Sequence, residues 1–136
     1  MWPFTPKPQS RHTLHASELY DAIRDQLSGR MASHCTIRLA DREQYATCSD
    51  AEARKWVSQA AAFYLPDVRD CDDACFIAKN SCIKDQFKVG LPLAFGIVWT
   101  PDHAMNFYLN HDLKIRVIDQ DGTWDWETRD INLILC

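Results

Sequence analysis

The period of apolar and polar positions changes near the middle of the chain. In the first half it is helical. Leu19, Tyr20, Ile23 and Leu27 recur at the spacing of one helix face, and Ser17 can cap the helix they predict. Gly29 suits its end. Cys35, Ile37 and Leu39 alternate with polar residues, which predicts a short half-buried strand. Residues 40–48 read as a loop. Ser49-Asp50-Ala51-Glu52 is a capping box: the serine oxygen can take a free amide at the helix start, and the glutamate can reach back. The helix it opens turns Ala53, Trp56, Val57, Ala60 and Phe63 inward and ends by Leu65, ahead of Pro66. A third helix begins within residues 70–73 and runs to about Lys84, with Cys75, Ile77, Ala78, Cys82 and Ile83 on its buried side.

After Gly90 and Pro92 the pattern is that of strands. Residues 94–100 form a buried run. His103 to Leu109 and Leu113 to Asp119 follow as strands joined across Asn110-His111-Asp112, and Ile131 to Leu135 is a last strand. Helices first and a meander second predict an α+β fold, its N-terminal helices packed on one face of an antiparallel sheet. Pro3, Pro6 and Pro8 deny residues 1–12 regular hydrogen bonding, so they read as an extended or disordered arm before a single domain at 13–136. Trp2 and Phe4 on that arm could dock on the domain or on a partner.

Composition narrows the function classes. A net charge of -4 gives no broad basic footprint, so nucleic acid is not an expected partner. No apolar run approaches the ~20 residues of a membrane helix. The first ten residues do not read as an export signal, and a cytoplasmic location is expected. In that compartment the six cysteines, Cys35, Cys48, Cys71, Cys75, Cys82 and Cys136, are expected as free thiols. The Cys71-x3-Cys75-x6-Cys82 spacing lacks the paired CxxC of zinc ribbons.

The candidate chemistry lies in a cysteine, a histidine and a carboxylate in that order. Asp70-Cys71-Asp72-Asp73 sits at a helix start, where the dipole favours a thiolate while the flanking aspartates oppose it. With a three-residue loop at 110–112, Leu109 faces Leu113, Phe107 faces Ile115, Met105 faces Val117, and His103 faces Asp119. A carboxylate opposite an imidazole orients it and stabilises its charged form, which in turn favours a nearby thiolate. His12, His15, His34 and His111 read as surface residues. Trp124-Asp125-Trp126-Glu127 reads as a groove wall or a loop packed by its own tryptophans.

With these residues in hand the chain resembles the papain-like domain of small bacteriophage and prophage proteins related to a mushroom agglutinin. The matching stretches are Asp70-Cys71-Asp72-Asp73, Phe95-Gly96-Ile97-Val98-Trp99, His103-Ala104-Met105-Asn106 and Ile118-Asp119-Gln120, with a looser match from Ile37 to Tyr45. Departures are Ala74-Cys75 for Phe-Ala, Asp102 for glycine, and Asp119 for the longer glutamate. The resemblance implies Cys71 as nucleophile, His103 as general base and acid, and Asp119 as its orienting group. It implies no required cofactor, but raises calcium or a similar divalent cation held by Asp72, Asp73 and Asp121. The expected function is a papain-like cysteine hydrolase, a peptidase or amidase acting on a protein or peptide. The alternative is a catalytically weak or inactive phage or prophage accessory protein that binds a host protein. A sugar-binding module ranks third.

Overall fold

The computed structural model describes residues 10–40, 43–62, 70–124 and 128–136. Expectations for Trp2, Phe4, Phe63, Leu65 and Trp126 lie outside the described residues. Helices α1 (Ala16–Leu27), α2 (Asp50–Ala61) and α3 (Cys71–Val89) accompany strands β1 (Thr13–His15), β2 (Met31–Arg38), β3 (Gln44–Ala46), β4 (Phe95–Trp99), β5 (Ala104–Leu109), β6 (Ile115–Ile118) and β7 (Ile131–Leu135). The α+β class is as expected. No helix among the described residues is long and apolar enough to cross a membrane.

The helices start where side chains can satisfy free amides. Ser49 and Glu52 form the expected capping box of α2. The cap of α1 is His15 rather than Ser17: its Nδ1 accepts from the Ser17 amide at 3.1 Å, and Glu18 accepts from the His15 amide at 3.0 Å. Helix α3 runs past Lys84 and stops at Gly90, whose φ of 80° is left-handed and favours glycine.

The sheet is mixed rather than antiparallel. Its order is β2-β7-β4-β5-β6, and β7 pairs parallel with β2 and antiparallel with β4. The last strand, Ile-Asn-Leu-Ile-Leu, is almost wholly apolar and takes an interior place with a neighbour on each side. Strand β2, with Ser33, His34, Thr36 and Arg38 exposed, takes the edge. A separate two-stranded sheet pairs β1 with β3, and β3 lies within residues 40–48, which read as a loop in the sequence.

The helices cover both faces of the sheet, not one. Leu19, Ile23 and Leu27 of α1 pack with Val98, Met105, Phe107, Leu109, Val117 and Ile134. Trp56, Val57 and Ala60 of α2, with Ala78 and Cys82 of α3, pack with Phe95, Tyr108 and Ile118. Strand alternation sorts these two sets, since residues one apart point to opposite faces. Trp56 meets Phe95 edge-on at 4.9 Å. The start of the domain is tied down as well: the Arg11 guanidinium donates to Glu52 Oε1 at 2.7 Å and to the Thr47 carbonyl at 2.9 Å.

Gly96 sits where β4 meets β7 with no room for a side chain. A Cβ there would fall inside contact distance of the Leu135 carbonyl oxygen, a backbone atom that cannot swing aside. Gly96→Ala is expected to lower stability by about 2–3 kcal/mol, read as a shifted urea midpoint.

Candidate functional site

Three elements meet at one end of the sheet. The first is the start of α3. Asp70 caps it, Oδ1 accepting from the amides of Asp72 at 3.2 Å and Asp73 at 3.5 Å. Cys71 is the first helical residue and is half-buried. The second is the turn before β5. Thr100 closes it, its amide donating to the His103 carbonyl at 2.8 Å and its Oγ accepting from the His103 amide at 3.1 Å. The third is the end of β6, where Asp119 is buried.

His103 and Asp119 come together, as the sequence predicts: Nε2 lies 2.9 Å from Oδ1. The register that brings them together differs from the expected one. Phe107 faces Val117 and Leu109 faces Ile115, so β6 is displaced by two positions. The turn is wider than three residues because Asn110 organises it. Its Oδ1 accepts from the amides of Asp112 and Lys114, each at 3.0 Å, and its own amide donates to the Lys114 carbonyl at 2.9 Å. A two-residue slip keeps every side chain on its face. Asp119 thus lies past the end of the ladder and reaches back to His103, held by the Gln120 amide at 2.8 Å.

Two amide side chains join α3 to the sheet. Asn106 Nδ2 donates to the carbonyls of Cys75 at 3.2 Å and Gly96 at 3.0 Å. Gln120 Nε2 donates to the Ala104 carbonyl at 2.8 Å, and lies 3.3 Å from Cys75 Sγ and 3.5 Å from the Cys71 carbonyl. Sequence reasoning gave neither a role. Asn106 was visible as the one polar residue in an otherwise apolar strand. His111 reads as a surface residue in the sequence but is buried, its Nδ1 2.7 Å from Thr47 Oγ1.

The surroundings of Cys71 act against a thiolate. Burial pushes its pKa up, the Ala104 amide opposes that, and the carboxylates of Asp72 and Asp70 push it further up. The thiol points to Asp72 Oδ1 at 3.6 Å. Among the described residues no hydrogen bond joins Cys71 to His103. Burial also pushes Cys75 and Cys82 up to about 12. All six cysteines are free thiols. Asp72, Asp73 and Asp121 are not brought together. Among the described residues no group of three His, Cys, Asp or Glu side chains could hold a metal ion. Asp121 instead caps the turn after Asp119, accepting from the Thr123 amide at 2.8 Å, and that bond holds its carboxyl below the usual range.

Apolar surface adjoins this polar cluster. Cys71 and Trp99 pack against Cys75, Ile97 and Ala104, and the Trp99 ring lies 5.8 Å from Phe76. Beyond them a groove of about 390 Å³ runs between α3 and the sheet, walled by Leu39, Phe76, Lys79, Ile97 and Leu135. Trp124 is held elsewhere, between the guanidinium groups of Arg54 at 4.0 Å and Arg116 at 4.9 Å.

No family model matches the sequence, and no curated protein matches it. Solved structures do match the fold. A PSL1a–E64 complex superposes with a TM-score of 0.75 at 15% identity, over 91% of this chain and 51% of that one. Polyporus squamosus lectin, bound to the human-type influenza-binding epitope Neu5Aca2-6Galb1-4GlcNAc, superposes with a TM-score of 0.71 at 13% identity, over 91% of this chain and 49% of that one. The fold is one shared with a mushroom lectin. The chain spans about half the length of these solved chains, and at such identities the likeness shows the fold alone.

The expectation of a papain-like cysteine peptidase or amidase is therefore corrected. The fold's solved neighbours include a named lectin shown with its bound epitope, and neither of these two structures is named as a peptidase or amidase. The local chemistry agrees, because a thiol raised by burial and two carboxylates is a poor nucleophile at neutral pH.

Gln120→Ala leaves the buried Ala104 carbonyl without its side-chain donor and frees the first turn of α3. A loss of about 1–2 kcal/mol is expected, with faster amide exchange at Ala74 and Cys75 than in the wild type.

Proposed function

We propose that this chain is a binding protein whose recognition surface centres on Cys71, His103 and Asp119 and extends into the adjoining groove. The observation that carries the reading is the groove of about 390 Å³, an apolar recess beside a polar cluster. That pairing is the usual composition of a recognition site: apolar walls supply affinity, and a few oriented polar groups supply specificity. His103 and Asp119 present a fixed hydrogen-bonding edge, and Cys71 contributes packing and a weak donor. The papain-like likeness enters this proposal as an arrangement only, a cysteine-bearing helix start beside a strand pair carrying histidine and aspartate. The partner is a protein segment that inserts an apolar side chain into the groove. A host protein fits that role.

The test is a selection of displayed peptides on the full chain, followed by calorimetry on the peptides recovered. Ala40, exposed on the groove wall, provides a plug: Ala40→Arg fills the recess without touching the core. Ala40→Arg and His103→Ala are each expected to weaken binding by about tenfold or more, while Cys71→Ser stays within about threefold. Mass spectrometry is expected to find the bound peptides intact. Peptides cut in a Cys71-dependent manner would overturn the reading, as would affinities indifferent to both Ala40→Arg and His103→Ala. Binding of the sialylated trisaccharide with no peptide binding would overturn it too.

A further inference from the structure

Helix α3 is apolar on two opposite sides. Ala74, Cys75, Ala78 and Cys82 are buried against the rest of the fold. Phe76, Ile83 and Phe87 point outward and are 52%, 40% and 85% exposed. With 3.6 residues per turn these three lie within about 40° of one another around the helix, a straight outer stripe. Large apolar side chains aligned on an exposed face mark a contact surface more than scattered ones do.

The stripe carries a knob at one end and a hollow at the other. Phe76 is the knob. Ile83, Gln86, Phe87, Gly90, Leu91 and Pro92 wall a hollow of about 300 Å³. Phe76 and Phe87 are separated by about 16 Å along the helix axis. The charges are also divided: Asp72 and Asp73 flank the start of the stripe, Lys84 and Lys88 its end. Among the described residues none of the four has an ion-pair partner.

A knob and a hollow on one face, with acids at one end and lysines at the other, match the same face turned end for end. We propose that the chain pairs with a second copy of itself through the outer face of α3, the two helices antiparallel, with Phe76 of each copy in the hollow beside Phe87 of the other. Asp73 of each copy then lies on the same side of the contact as Lys84 and Lys88 of the other, nearest to Lys88. The opposed helix dipoles add to the attraction. Because each copy uses the same patch, the pair closes at two. One helix face is smaller than a standard interface, so the pairing is concentration-dependent. This goes beyond the binding reading and does not rest on it: Ile83 and Phe87 lie outside the groove, and Phe76, one of its walls, is shared by the two surfaces.

Sedimentation velocity on the full chain, from about 1 μM to about 1 mM, reads the pairing directly. The wild type is expected to move from monomer to dimer across that range. Phe87→Glu alters a side chain already in solvent, and circular dichroism verifies its fold; it is expected to weaken the dimer by about tenfold or more. Lys88→Glu is expected to weaken it as well, and adding Asp73→Lys to restore it. A chain that stays monomeric throughout overturns the proposal. So does association that ignores Phe87→Glu, growth beyond the dimer, or a charge exchange that fails to restore pairing.

Discussion

The site depends on how the start of α3 is held across the sheet. Asn106 ties Cys75 of the helix to Gly96 of β4, and Gln120 ties Ala104 of β5 to the same helical turn. Both are amides whose donors meet carbonyls in buried surroundings, where an unmet carbonyl is costly. Without them Cys71, His103 and Asp119 would belong to three separate segment ends. Gly96 makes the same region possible from below, since its missing side chain lets β7 lie close against β4.

Much of this was legible in the sequence, in proportion to how local the signal was. Ser49 and Glu52 announced α2 because a capping box is complete within four residues. Cys71 at a helix start, and His103 beside Asp119, followed from short motifs and from strand alternation. What failed to show was non-local. Strands β1 and β3 are three residues each, too short for a periodic pattern. The parallel pairing of β7 with β2 joins segments nearly a chain apart, and apolar content alone does not say which neighbour a strand chooses. The register of β6 turned on Asn110, whose side chain widens the turn. His111 read as polar and exposed, but Thr47, far away in sequence, gives it a buried partner.

Charge balance separates the arrangement from the activity it first suggested. An ordered cysteine, histidine and carboxylate is a geometric statement, while nucleophilic catalysis also needs a thiolate. Here the sulfur sits among Asp70 and Asp72, whose carboxylates oppose a thiolate. Two negative neighbours and partial burial act in the same direction on the thiol. What remains is a fixed polar edge next to apolar recesses, a combination suited to holding a partner.

Ionisation of Cys71 tests this most directly. Alkylation of the Cys71 peptide, followed by mass spectrometry across pH, separates it from the other five thiols. The account predicts a midpoint above 9, the ordinary thiol value, unmoved by His103→Ala and lowered by Asp72→Asn. A midpoint below neutral pH that rises when His103 is removed would contradict it.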